Sequence, residues 1–264
     1  MTGEALVRVH RHGEGGVVAE VVLDRPSALN AVSTALARDL TSACEKVAAD
    51  GTVRAVVLSS SGTKAFCVGA DLKERAGLSD EELAHQRPVT RAAYAAVLSL
   101  PMPAVAAVEG YALGGGLEIA LGCDLVVAAR SAVVGLPEVT VGVIPGGGGT
   151  QLLTRRIGWS RAASMIFTGR RLAAADALAL GVVDEVVPDG TARQRALAVA
   201  EEVASNSPVA VRQAKRAMRR GVHLELAAGL EVEDACWRAT AFSADRVEGV
   251  LAFVQRRAPQ WPAT

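Results

Sequence analysis

Residues Gly110-Tyr-Ala-Leu-Gly-Gly-Gly-Leu-Glu-Ile-Ala-Leu-Gly-Cys-Asp124 decide how this chain is read. They follow Ala104-Val-Ala-Ala-Val108, an apolar run short enough and β-branched enough for a buried strand, and Leu117 to Leu121 reads as helix. The glycines therefore occupy a strand-to-helix turn. With no Cβ on Gly114, Gly115 or Gly116, a ligand can approach the backbone, and the first N–H groups of the helix lack intrahelical acceptors. Such a turn donates hydrogen bonds to a developing negative charge. Glu118, three residues beyond Gly115, falls on the same side of the helix about one turn on. A second carboxylate, Glu138, stands in Gly135-Leu-Pro-Glu-Val-Thr-Val-Gly-Val-Ile-Pro145 among mostly apolar neighbours. Burial there would raise its pKa and suit it to acid–base work near neutral pH.

Outward from this turn the chain alternates strand, loop and helix. Residues 5–11 and 17–24 predict a β-hairpin around Gly13 to Gly16, and Ser33 or Thr34 caps a helix to about Ala49. Val53 to Ser59 is a buried-type strand, followed by a loop holding Phe66-Cys-Val-Gly-Ala-Asp-Leu72. Ser79 and Glu82 have capping-box spacing and open a helical region interrupted near Pro88 and stopped by Pro101 and Pro103. Another strand is expected at Leu125 to Ala129. The rhythm argues for parallel strands with crossovers, an α/β core. After Gly146 to Gly149 helices are expected at 150–157, 161–167 and 173–180, then a strand at 182–187. Four more helices follow, at about 191–205, 208–220, 224–240 and 245–257.

Composition narrows the function. The 264 residues fit one large domain or a core with an appendage, half are hydrophobic, and the formal net charge is zero. That balance does not call for nucleic acid or an anionic membrane. Cys44, Cys67, Cys123 and Cys236 show no metal spacing and read as reduced thiols. No secretory leader or run of ~18 apolar residues is present, so the expectation is a soluble cytoplasmic protein without membrane partners.

Other features compete for attention. Cys67 beside the 66–72 loop is a thiol nucleophile or a small apolar filler; no histidine motif accompanies it. His10 and His12 share a strand face but lack a third metal ligand. Gly146 to Gly149 carries neither a P-loop lysine nor GxGxxG. Asp124 fixes a turn or pairs with an arginine. Arg212, Lys215, Arg216, Arg219 and Arg220 make one face of the 208–220 helix basic, which suits solvent, inter-subunit pairing, the phosphates of a ligand or RNA.

Taken together these landmarks resemble the crotonase, or enoyl-CoA hydratase/isomerase, superfamily. The motifs that carry the likeness are Asp24-Arg-Pro-Ser-Ala-Leu-Asn30, Ala65-Phe-Cys-Val-Gly-Ala-Asp-Leu72, Gly110 to Glu118, Leu136-Pro-Glu138, Ile144-Pro-Gly-Gly-Gly-Gly-Thr-Gln151 and Phe167-Thr-Gly-Arg-Arg-Leu-Ala-Ala-Ala-Asp-Ala-Leu-Ala-Leu-Gly181, in order along essentially the whole chain. The resemblance implies an α/β spiral of ββα turns with a C-terminal helical trimerisation region. Residues 1–195 would form the acyl-CoA-binding core and 196–264 the oligomerisation helices of a trimer or hexamer.

The resemblance further implies an oxyanion hole at the N–H groups of Ala70 and Gly115, with Glu118 as base toward water and Glu138 as proton donor. Ser27, Ala28, Leu29, Val68, Asp71, Leu72, Tyr111, Gly114, Pro137 and Gly142 would contact the acyl-CoA, and no cofactor is required. Leu78, Leu83, Tyr94 and Leu98 are candidates for the acyl pocket wall. The expected activity is hydration of a trans-2-enoyl-CoA; the alternatives are a double-bond isomerase, a hydratase for branched or specialised thioesters, or an RNA-binding module.

Overall fold

The computed structural model describes residues 5–264. The first four residues of the expected core domain lie outside the described residues. The hairpin pairs β1 (Val7–His12) and β2 (Val18–Leu23) antiparallel; α1 (Thr34–Ala49) follows, capped by the Ser33 hydroxyl on the N–H of Leu36. From there the chain winds. β3 (Ala55–Ser60), β5 (Ala104–Val108) and β7 (Leu125–Ala129) enter one sheet, while the strand after each, β4 (Ala65–Cys67), β6 (Tyr111–Leu113) and β8 (Val133–Gly135), enters a second. Helices close these turns: α2 (Leu72–Ala76) and α3 (Asp80–Leu98) after β4, and α4 (Gly115–Gly122) after β6. After β8 come α5 (Gly149–Ile157) and α6 (Trp159–Thr168). Then β9 (Arg171–Ala173), α7 (Ala174–Leu180) and β10 (Glu185–Val187) complete the sheets.

The large sheet has the order β1-β2-β3-β5-β7-β10 and is parallel from β2 onward; the small sheet runs β4-β6-β8-β9. This is the expected spiral of ββα turns. The small sheet itself was absent from the reading by periodicity, because its strands are three residues long and show no alternation to count.

Strand alternation divides the core. Val56 and Leu58 of β3 face helices α1 and α3 to α5, whereas Ala55 and Val57 face the other way. There α8 (Ala192–Ala204) lays Ala192, Ala196, Ala200 and Ala204 on the sheet, one per turn, so that helix and sheet approach closely. The expected domain boundary at 195/196 falls inside α8, which packs with the core. The remaining helices are α9 (Pro208–Gly221), α10 (Leu226–Ala241) and α11 (Ala244–Gln255).

Two expectations need correction. Pro88 does not interrupt α3: it and Ala84, whose carbonyl loses its partner, both lie on the exposed side, where water can satisfy that oxygen. The basic face of α9 is only partly a free surface: Arg216 and Arg220 are exposed, but the other three cations are engaged. Arg212 donates to the Val53 carbonyl, Lys215 to Asp124 and the Met102 carbonyl at 2.7 Å each, and Arg219 to Asp124 and the Gly122 carbonyl. These cations dock α9 on the core, and Asp124 both pairs with them and accepts the Ala104 N–H. Cations spent in this way are withdrawn from a nucleic acid.

Candidate active site

The turn from β6 into α4 is built by close packing. Gly114 has φ +53° and ψ −128°, a conformation essentially reserved for glycine, and its N–H bonds the Gly135 carbonyl at 2.8 Å. A Cβ on Gly116 would stand 1.9 Å from the Cys67 carbonyl oxygen, so the first turn of α4 lies directly on the end of β4. Gly69, with φ +87°, brings the chain past the same point: a Cβ there would be 2.9 Å from the Gly115 nitrogen.

That contact sets two amides side by side. As the first residue of α4, Gly115 has an N–H with no intrahelical acceptor. Ala70 bridges Val32 through its neighbours, the Gly69 carbonyl and the Asp71 N–H; alternation turns its own N–H to the opposite side, toward the cleft that it lines.

Glu118 is buried, 3% exposed. Its Oε1 accepts the N–H groups of Gly147 and Gly149 at 2.7 Å each, which leaves Oε2 free. Burial raises its pKa, and the N–H groups of Gly149, Gly147 and Gly146 and the charge of Arg87 oppose that rise. Glu138 opens a 3-10 turn (Glu138–Val141) behind Pro137, and its carboxylate lies over Gly114, with Oε1 3.1 Å from where a Cβ would stand. Both its oxygens are shielded and without a hydrogen-bond partner among the described residues. Burial, reinforced by the charge of Glu118, pushes its pKa up to about 7. Both carboxyls are thus held above the usual range, Glu118 against the N–H donors that orient it.

Both acids open into a cleft of about 1640 Å³. Pockets for drug-sized ligands run to about 300–1,000 Å³, so this one suits a longer molecule. Of the residues expected at the site, Glu118, Glu138, Ala70, Gly115, Ser27, Ala28, Leu29, Val68, Asp71, Leu72, Gly114, Pro137 and Gly142 all line it. Tyr111 does not: it sits at the N-terminal end of β6, exposed, while the cleft opens at the C-terminal end. Leu83 and Tyr94 also line the cleft; Leu78 and Leu98 do not.

The rim at Ser27 to Leu29 is shaped by Asn30. Buried, it accepts the Arg25 N–H and donates to the Ser61 and Ala65 carbonyls, while Leu29 and Asn30 both hold positive φ, +52° and +55°. Non-glycine residues in that region mark stored strain near a site. Asp71 works internally, capping α2 and pairing with Arg25 at 2.6 Å. Burial would raise its pKa; Arg25 and the capping N–H groups outweigh that and hold it below the usual range. Cys67 is buried, its pKa raised to about 12 by desolvation, so the thiol is packing and not a nucleophile. His12 hydrogen-bonds the buried Glu20 at 2.8 Å.

Arg25, Arg75 and Arg87 in the cleft wall were not anticipated. The signal was present for Arg87: Leu83, Arg87 and Tyr94 are four and seven apart, one face of α3.

The sequence matches the family model described as Enoyl-CoA hydratase/isomerase over residues 13–264. The chain belongs to the enoyl-CoA hydratase/isomerase family. Among its relatives, Enoyl-CoA hydratase domain-containing protein 2, mitochondrial, from Mus musculus is 42% identical over 92% of this chain and 84% of its own length. Human Methylglutaconyl-CoA hydratase, mitochondrial, is 40% identical over 96% of this chain and 76% of its own. The crystal structure of enoyl-CoA hydratase from Bacillus anthracis superimposes with a TM-score of 0.94 at 40% identity, covering 98% of this chain and all of that one. The α/β spiral and its C-terminal helices are therefore those of the enoyl-CoA hydratase/isomerase fold.

Proposed function

We propose that the chain adds water across the C2=C3 bond of a trans-2-enoyl-CoA to give the 3-hydroxyacyl-CoA. The observation that carries this reading is the pair Glu118 and Glu138 in one cleft with the unpartnered amides of Ala70 and Gly115. Water attack at C3 moves electrons onto the thioester oxygen, and two main-chain donors aimed there stabilise the enolate-like transition state more than the substrate. The free Oε2 of Glu118 takes the proton of the attacking water, and Glu138, protonated near neutral pH, gives one to C2. Protons balance across the two acids, and no step requires a metal or a redox cofactor.

The apolar side chains of Leu83, Val143 and Ile144 in the cleft wall suit an acyl chain, and Ser27 to Leu29 with Val68 to Leu72 suit the CoA portion. Assembly as a trimer or hexamer is part of the same reading, supported by apolar residues left open on the C-terminal helices, among them Leu226, Phe242 and Phe253. No helix among the described residues is long and apolar enough to cross a membrane. The free thiols of the four cysteines suit a cytoplasmic setting.

The test is turnover of crotonyl-CoA followed by loss of the enoyl thioester absorbance, with solvent oxygen traced into the product to separate hydration from double-bond migration. Glu118→Gln and Glu138→Gln should each lower kcat by about 10²–10⁴-fold. Full activity in either variant removes that glutamate from the mechanism.

A further inference from the structure

Main-chain amides of one turn hold the base. Gly147 and Gly149 both donate to Glu118 Oε1 at 2.7 Å, from the segment that leads from β8 into α5. Three residues of that segment, Gly146, Gly147 and Gly148, carry no side chain with which to anchor themselves. A carboxylate oriented by such a turn keeps its place to the extent that something outside the turn fixes it.

Helix α3 supplies that support from one face. Arg87 Nη2 donates to the Gly146 carbonyl at 2.6 Å. Both its Nη atoms lie 3.2 Å, and Cζ 3.4 Å, from where a Cβ on Gly146 would stand, so the guanidinium covers this residue with its flat side as well as bonding its oxygen. Seven residues on, the ring of Tyr94 packs on Gly147: a Cβ there would be 2.7 Å from Cγ and Cδ1 and 2.8 Å from Cδ2. Residues seven apart share a helix face, and Tyr94 is buried. Since α3 also packs on α4, which carries Glu118, turn and base are both referred to the same helix.

The same placement puts a cation beside the base. Burial disfavours the ionised form of Glu118, and the Arg87 charge acts against that. The other titratable groups around Glu118 add no positive charge. Glu138 and Tyr94 have pKa values raised by burial and then by the Glu118 charge itself, and Cys67 is a buried thiol. Arg25, farther along the cleft wall, is paired with Asp71.

We propose that Arg87 is a positioning residue for Glu118: its guanidinium, bonded to the Gly146 carbonyl, clamps the turn whose amides fix the carboxylate that activates water. This rests on the hydratase reading above and adds to it a residue that acts through the main chain. Lysine could supply the charge and one bond but not the flat, delocalised face that covers Gly146. Arg87 also lines the cleft, so the competing role is a direct contact with the ligand, and kinetics separate the two.

Arg87 is exposed, so Arg87→Met tests the clamp without opening the core. On crotonyl-CoA it should lower kcat about tenfold or more and leave KM within about twofold of wild type. The acidic limb of kcat/KM should move up by about half a pH unit or more, because Glu118 loses a cation that favours its ionised form. Arg87→Lys should restore the limb but recover only part of kcat. Arg91→Met, one turn along α3 and outside the cleft, should change neither. An unchanged kcat, an unmoved limb, or a loss confined to KM in Arg87→Met overturns the proposal; the last is how an arginine that binds the ligand behaves. If the wild type hydrates neither crotonyl-CoA nor a longer enoyl-CoA, the hydratase reading fails separately, and a crystal structure of Arg87→Met decides the clamp. Gly147 and Gly149 amides drawn beyond about 3.5 Å from Glu118 Oε1 are then the expected result, and bonds that stay in place overturn it.

Discussion

Glu118 Oε1 and the N–H of Gly149 lie 2.7 Å apart, and a Cβ on Gly149 would stand 2.9 Å from that same oxygen. The contact that orients the carboxylate therefore leaves no room for a methyl group. Gly149 has ordinary helical backbone, so Gly149→Ala tests crowding without backbone strain. We expect kcat on an enoyl-CoA to fall about tenfold or more while overpacking against Leu136 and Pro145 costs about 1–3 kcal/mol. Steady-state kinetics beside thermal unfolding check both; unchanged kcat would show that the Glu118 position is not set by this turn.

Glu138 should leave its mark on pH profiles. Its pKa of about 7 lies above the ordinary 4.5, so the stability tied to its neutral form is complete below about 4.5 and lost as pH rises through 7. Glu138→Gln, neutral throughout, should match wild type in acid and become more stable than it between pH 5 and pH 8, on the order of 1–3 kcal/mol after allowance for partial exposure. Denaturant titrations at the two extremes measure the gap. For the wild type, kcat/KM should decline above about pH 7 as the proton donor ionises.

Gly116→Ala should be among the most damaging single-methyl changes in the molecule. The obstruction is the Cys67 backbone oxygen, 1.9 Å from the new atom, which cannot rotate away. We expect a loss of about 3 kcal/mol or more, or failure to fold, measured by chemical denaturation.

Lys215 is buried at the joint between α9 and the core. Lys215→Ala would leave the Met102 carbonyl without its donor and Asp124 with Arg219 and the Ala104 N–H, for an expected cost of about 2–4 kcal/mol. Hydrogen exchange should show the loss first in α9, and protection there equal to wild type would contradict the docking role.

Long-period features were legible in the sequence: α1, α3 to α8 and the large-sheet strands follow from caps, apolar runs and glycine stops, and the two acids from their apolar setting. The small sheet was not, because three-residue strands such as Ala65–Cys67 are specified by what they pack on and carry no pattern of their own. The cleft wall was half legible. Leu83 and Tyr94 could be named as candidates, but whether Arg75 points inward depends on the one-and-a-half turns of α2, which only the Asp71 cap and the path from β4 determine. The basic run on α9 misled for a related reason: charge in a sequence does not say whether the partner is solvent or the chain's own carbonyls.

The four alanines of α8 have a further consequence. Because methyl groups seal the back of the large sheet and no residue of α8 borders the cleft, that flank has no slack for a larger side chain and offers nothing to a ligand in the cleft. The molecule has a silent side and a working side. Changes in what it acts on must therefore be written on the opposite flank, in α2, α3 and the short turn behind Pro137.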